Sequence, residues 1–329
     1  MILGLSLSLL SSIMVTYITS LILINIEKKL GMLCKDVHKP YEYFVPCIGG
    51  FPLYIGVVVG LGMIYLFDFI DYRILAASIL VMSASLVIGF VDDVFNLRSR
   101  WKILLGFIPA FPMIIMGCYS PRPWAPFIGH TRLHLVYPML MLIASTVYLN
   151  GVNMMDTHNG LSPMFAFAVT LFAIILKIIT RYSVEEIILP MVFAVTLLTY
   201  LMFNKYPAKI FNGNTGAFLI GSMLFFILVF LRVEFYMVLA SMPMLLNGFY
   251  YISSVRGFLQ KEHVARPTFV DVNGCIHPTK STHPITFIKL VLALSNKPLS
   301  EKELIKVLYL VYTTTSLTSF LLCYLLGYS

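Results

Sequence analysis

Long apolar runs separated by short polar interruptions make up most of this chain, and the runs are about 17 to 23 residues long. An α-helix rises 1.5 Å per residue, so runs of this length cross a hydrocarbon layer of about 30 Å with every backbone group bonded inside the helix. Ten such helices are predicted, at about 5–26, 45–67, 74–91, 103–119, 135–152, 161–179, 186–203, 214–232, 236–254 and 306–326. The expected fold is an all-α polytopic membrane protein. It forms one integral membrane unit over residues 1–329, with a loop insertion at 255–305 that carries a small extramembrane element. Residues 2–26 lack a basic start and a small-residue cleavage site, so they read as a retained first helix rather than a cleaved leader.

Composition agrees with the pattern. Of 329 residues, 59% are hydrophobic and 12% charged, about half the charged fraction of a soluble protein. The net charge of +8 raises the question of nucleic acid. With ten spans, the loops after spans one, three, five, seven and nine share a face, and with the adjoining Lys306 they hold 17 of the 23 Lys and Arg. The positive-inside rule makes that face cytosolic and assigns the charge to membrane orientation. Five cysteines with no Cys-x-x-Cys indicate neither a disulfide framework nor a zinc site, and they read as small packing residues.

The same face collects the polar residues. Gly89 to Lys102 reads G-F-V-D-D-V-F-N-L-R-S-R-W-K. Either acid of Asp92 and Asp93 would cost about 2.5 to 3.5 kcal/mol at a bilayer centre, so the pair belongs at a surface or in a polar cavity. Two adjacent carboxylates that both stay charged call for a cation, and a metal or the nearby Lys and Arg can supply it. A solvated loop balanced by Arg98, Arg100 and Lys102 is the alternative. The first loop reads C-K-D-V-H-K-P-Y-E-Y-F-V-P from Cys34, mixing Asp36, His38 and Lys39 with prolines. Asn150 to Gly160 reads N-G-V-N-M-M-D-T-H-N-G and has no Lys or Arg; helix caps and a tight turn would also explain it.

Asn204 to Gly216 reads N-K-Y-P-A-K-I-F-N-G-N-T-G and runs into span eight. Its Gly-Asn-Thr-Gly either offers backbone N–H groups to an anion or uses Asn214 or Thr215 as an N-cap. In the insertion, 264–270 and the turn-like 271–274 predict a short hairpin. On the opposite face, 120–134 reads as an interfacial cap anchored by Trp124, and His130 and His134 are a weak metal pair. An acidic pair, amides, cations and glycine-rich helix starts on one face are the parts that phosphoryl transfer at a membrane surface requires: oxygen ligands for a hard cation, and positive charge for the transferring group.

D-D-V-F-N-L-R-S-R-W-K, N-G-V-N-M-M-D-T-H-N-G-L and N-K-Y-P-A-K-I-F-N-G-N-T-G, in this order and on this side of ten spans, resemble the polyprenyl-phosphate N-acetylhexosamine-1-phosphate transferases, within them the eukaryotic dolichyl-phosphate branch that tunicamycin inhibits. The resemblance implies transfer of GlcNAc 1-phosphate from UDP-GlcNAc to dolichyl phosphate with release of UMP and with magnesium as cofactor. It implies the first step of lipid-linked oligosaccharide synthesis for N-glycosylation, in the endoplasmic reticulum membrane. It leaves open a homodimer, and a catalytically silent homologue acting as a binding or regulatory subunit is the alternative reading.

Carried over by position, Asp92, Asp93, Asn96 and Lys102 would act at the lipid phosphate. Asn153 would ligate magnesium, Asn159 and Gly160 would recognise uracil with Phe211 beside it, and in the first loop Val37, through its backbone, and Lys39 would bind substrate. The family carries a magnesium-binding aspartate where this chain has Asn214, and Asp156 could restore that charge. A basic family cluster in the insertion appears here as K-E-H-V-A-R-P-T, in which His263 and Arg266 are the equivalents. Cys47 stands in place of a family glutamate and Ser99 in place of a tryptophan.

Overall fold

Helices account for nearly all of the membrane-embedded chain in the computed structural model, which describes residues 2–180, 184–255, 257, 266–280, 284–295 and 297–328. Among them, α1 (Ile2–Leu30), α2 (Gly50–Leu66) and α3 (Tyr72–Phe95) match the first three predicted spans. The fourth is divided into α4 (Ser99–Leu105) and α5 (Ala110–Met116) by a turn ending at Pro109. Then come α6 (Tyr137–Met155), α7 (Leu161–Ile179), α8 (Val184–Asn204) and α9 (Gly213–Phe230). The ninth span is broken: α10 (Glu234–Ala240) and α11 (Met242–Val255) meet at 61°. Pro243 lacks the N–H that would continue the ladder and crowds the backbone before it. The short α12 (Phe287–Leu294) precedes α13 (Glu301–Leu325). Among the described residues eight segments are long and apolar enough to span alone, α4 and α5 together being one of them; the bent pair makes a ninth, and the 17-residue α2 is a shorter apolar helix at the second predicted span.

α9 is the centre of the bundle. Every residue from Thr215 to Val229 is buried, and α2, α3, α6 and α7 pack around it. The α3 contact is backbone against backbone: a Cβ on Gly89 would lie 2.6 Å from the Asn214 carbonyl oxygen and from Thr215 Cα. α1 inverts the soluble pattern. Its small polar residues Ser8, Ser12, Thr16 and Ser20 are buried, while Leu10, Met14 and Ile18 face outward. Ser12 Oγ donates to the Gly56 carbonyl of α2 at 3.0 Å and pairs with Thr196 Oγ1 of α8 at 2.6 Å, so small residues and hydroxyls join the three helices where lipid offers no polar partner.

Among the described residues the loops carry seven short strands. β1 (Leu33–Lys35) and β2 (Phe44–Pro46) form an antiparallel hairpin, and Cys34 is bonded to Cys47 at its base, which corrects the reading of these cysteines as packing residues. No local pattern signals the pairing, because the 13-residue separation closes only once the hairpin forms. β3 (Trp124–Ala125) and β4 (Gly129–His130) form a second small hairpin. There Trp124 is buried against Phe235 and Tyr328, so it is a core residue rather than the interfacial anchor expected. β5 (Thr268–Val270) and β6 (Cys275–Pro278) form the hairpin expected in the insertion for the described residues, and β7 (Leu299–Ser300) extends it directly into α13. At that junction Ser300 and Glu303 form a reciprocal capping box.

Candidate active site

Two carboxylates adjacent in sequence lead to different places. Asp92 ends α3 with its side chain buried; Leu97 N–H donates to it at 2.9 Å, and Lys102 Nζ lies 2.7 Å from its other oxygen. Asn96 makes the turn possible by adopting the left-handed conformation, φ 47°, where asparagine is tolerated better than most residues. Asp93 points the other way, to the start of α9. It accepts from Asn214 N at 2.8 Å, Thr215 N at 2.9 Å and Thr215 Oγ1 at 2.5 Å. A carboxylate on the N-terminal N–H groups of a helix satisfies orphan donors and opposes the positive end of the dipole. Those N–H groups are therefore occupied, which corrects both expectations for Gly-Asn-Thr-Gly: neither an open anion cradle nor an Asn214 or Thr215 N-cap.

The first loop and the 205–213 segment are joined by backbone. Phe211 N–H donates to the Pro46 carbonyl at 2.7 Å and Gly49 N–H to the Phe211 carbonyl at 2.9 Å. Glu27 of α1 accepts from the N–H groups of Cys47 and Ile48 at 2.6 and 3.1 Å. The loop between α6 and α7 is bound to the same segment, because Asp156 Oδ1 accepts from Ser162 Oγ and Asn212 Nδ2, both at 2.8 Å. Gly160 N–H donates to Asn204 Oδ1 at 3.1 Å, and Asn204 Nδ2 to the Ile210 carbonyl at 2.8 Å. Sequence reasoning missed Asn204, Asn212, Glu27 and Glu301. An amide or acid at a span end next to a polar loop was the available signal.

These contacts frame a polar cavity of about 290 Å³. Val37, Asn159 and Phe211 line it together with Asp93, Asn153, Asp156 and Asn214, residues drawn from loops and from the ends of α3, α6 and α9. Against it lies a largely apolar cavity of about 540 Å³, walled by Met154, Met244, Phe249 and Ile252, with Asn96 and Lys102 on its lining. The bend between α10 and α11 brings α11 to this wall. Asn153, Asp156, Thr157 and Asn214 line both cavities.

The other predicted residues lie around this pair. Gly160, with φ 77°, starts α7 behind the polar cavity and accepts from Tyr309 Oη at 3.1 Å. Lys39 lines neither cavity; its ammonium is buried between Glu301 and Asp36 and lies 4.1 Å above the Tyr206 ring. Burial alone would depress Lys39, but the hydrogen bond and charge of Glu301, with Asp36 behind it, raise it above its ordinary value. Arg266 is exposed, and His263 lies outside the described residues. His38 stacks on His158 with ring centroids 3.9 Å apart. Burial pushes His38 down to about 4 against the pull of Asp36, and burial likewise lowers His158, so both rings are neutral at pH 7. Of the opposite-face histidines, His130 Nδ1 pairs with the Arg122 carbonyl.

Comparison with known proteins fits this geometry. Residues 75–232 match glycosyl transferase family 4. A Saccharolobus solfataricus protein that carries the provisional name UDP-N-acetylglucosamine–dolichyl-phosphate N-acetylglucosaminephosphotransferase is 30% identical over 228 residues, 68% of this chain and 70% of that one. The chain belongs to this family. A Sulfolobus acidocaldarius protein with the same provisional name is 29% identical over 228 residues, covering 68% and 70%. A phospho-N-acetylmuramoyl-pentapeptide-transferase of Caldicellulosiruptor bescii is 27% identical over 224 residues, covering 64% and 68%. As a family 4 member the chain is a multi-pass glycosyl-1-phosphate transferase, of a family whose substrates are a nucleotide sugar and a polyprenyl phosphate.

Proposed function

We propose that this enzyme transfers N-acetylglucosamine 1-phosphate from UDP-GlcNAc to dolichyl phosphate. The observation that carries the reading is the shared wall: a polar cavity suited to a nucleotide sugar and an apolar one suited to a prenyl chain meet at Asn153, Asp156 and Asn214. In this reading a phosphate oxygen of the lipid attacks the phosphorus that bears the sugar. The bond from that phosphorus to the bridging oxygen breaks, and the oxygen leaves with UMP. Lys102, on the apolar cavity, receives the lipid phosphate; that phosphate is already ionised near neutral pH, so placement matters more than a strong base.

The donor set fits magnesium. Asp156 supplies a carboxylate and Asn153 and Asn214 amide oxygens on one cavity, the hard ligands that this ion takes. Asn153, Asp156 and Asn214 would hold it, and Asp156 provides the charge that Asn214 does not. Magnesium supplies charge neutralisation on the pyrophosphate. The resemblance to the eukaryotic branch extends the reading to a cytosolic site in the endoplasmic reticulum membrane, to the opening step of N-glycan assembly, and to tunicamycin as an inhibitor.

The test is UMP release by the full-length protein in detergent, with UDP-GlcNAc, dolichyl phosphate and magnesium. Release that requires all three is expected, with Asp156→Asn needing about tenfold more magnesium. A wild type without turnover that gains activity as Asn214→Asp would overturn the active-enzyme reading in favour of a silent homologue. If Asp156→Asn leaves the magnesium requirement unchanged, Asp156 is not the compensating ligand.

A further inference from the structure

Asp36 is placed to decide which way the Asn159 amide faces. Both side chains are buried, and Asn159 Nδ2 lies 3.5 Å from Asp36 Oδ2. The other Asp36 oxygen accepts from His38 N–H at 3.0 Å, and Lys39 Nζ is 3.6 Å from Oδ2. Lys39 is held in turn by the ion pair to Glu301, at the first position of α13. A carboxylate only accepts hydrogen bonds, whereas a carboxamide has one donating and one accepting end. The amide nitrogen therefore faces Asp36 and the carbonyl oxygen faces away. Among the described residues nothing donates to that oxygen, and Asn159 lines the polar cavity with Val37 and Phe211.

We propose that Asp36, fixed by Lys39 and Glu301, is a positioning residue that selects uracil over cytosine by presenting the Asn159 carbonyl oxygen to the base. The inference rests on the nucleotide-sugar reading of this cavity. Uracil offers an N–H at ring position 3, which the oxygen accepts. Cytosine has a lone pair there, which the oxygen repels. A site built to pair with one pattern of donors rejects the other because a buried polar group is left unmatched. Lys39 thereby acquires a role without touching the nucleotide: it holds Asp36 in its aim, and Glu301 anchors it to the helix that follows the insertion.

The experiment is isothermal titration of the purified full-length protein in detergent with UMP and with CMP, with the thermal midpoint measured for every variant. In Asp36→Asn the new amide can offer either end to Asn159, so the preference for UMP over CMP is expected to fall at least about tenfold. In an Asn159→Ala background the same substitution should change the preference no further. Glu301→Gln keeps a hydrogen bond to Lys39 but removes the charge, and about a threefold loss of preference is expected; this variant carries the test if Asp36→Asn does not fold. An unchanged preference in a folded Asp36→Asn or Glu301→Gln that still binds UMP overturns the relay and leaves the nucleotide reading standing. A wild type that binds neither nucleotide overturns both.

Discussion

The buried Asp92 carboxylate is paired at 2.7 Å with the partly buried Lys102, and the energetics of the pair separate a structural role from a chemical one. Removing one partner leaves an uncompensated charge, so Lys102→Met should destabilise the protein by about 3 kcal/mol, read from the thermal midpoint in detergent. The double variant Asp92→Asn, Lys102→Met should recover most of that stability but not UMP release, since the cation on the apolar cavity is gone. Recovery of both would make the pair purely structural. His38 gives a pH dependence with a definite sign. Its value in the folded protein, about 4, is below the ordinary 6.5, so the unfolded chain binds more protons between the two. The contribution of a neutral His38 to stability is complete above about pH 6.5 and is lost as pH falls toward 4. A midpoint measured from pH 7 to 4 should drop less steeply in His38→Gln than in the wild type.

At the scale of elements, the start of α9 governs the site, because Asn212 and Asn214 both leave from it. Gly213 has φ 63°, and a Cβ there would lie 2.4 Å from the Cys47 carbonyl oxygen and 2.8 Å from Asp93 Oδ2. Gly213→Ala should displace Asn214 and the Asp93 cap together, lowering UMP release at least about tenfold with a lower midpoint. Unchanged kinetics would detach this turn from the site. The helix start itself was legible from Gly-Asn-Thr-Gly and the apolar run after it. What sits on its N–H groups was not, because Asp93 is 121 residues earlier and only the close approach at Gly89 brings it there. The bend between α10 and α11 had a local signal, Pro243, but hydropathy averages over a break of this kind and returns one span.

At the scale of the molecule, the grouping of the polar loops was the most legible feature. Loops after odd-numbered spans were grouped by their lysines and arginines, and the same loops build the two cavities. Val37, Asn159, Phe211 and Asn214 converge although no local pattern relates them. Less legible was the division of labour among the charges. Lys39 read as a substrate-binding residue of the first loop, yet its partner Glu301 lies 262 residues away in a helix whose start was placed five residues late. The Cys34–Cys47 bond and the buried Trp124 are of the same kind, set by tertiary neighbours that composition does not name.

The central claim is that lipid and nucleotide occupy different cavities that meet at Asn153, Asp156 and Asn214. Gly248 of α11 lines the apolar cavity and not the polar one, and a Cβ added there meets nothing within 4 Å, so a side chain starts from open space on the lipid side. Two-substrate kinetics of Gly248→Trp, with UMP binding measured alongside, tests the claim directly. KM for dolichyl phosphate should rise at least about tenfold while the affinity for UMP stays within about twofold of wild type. An unchanged KM for the lipid, or a loss of UMP affinity equal to that for the lipid, would contradict the two-cavity account.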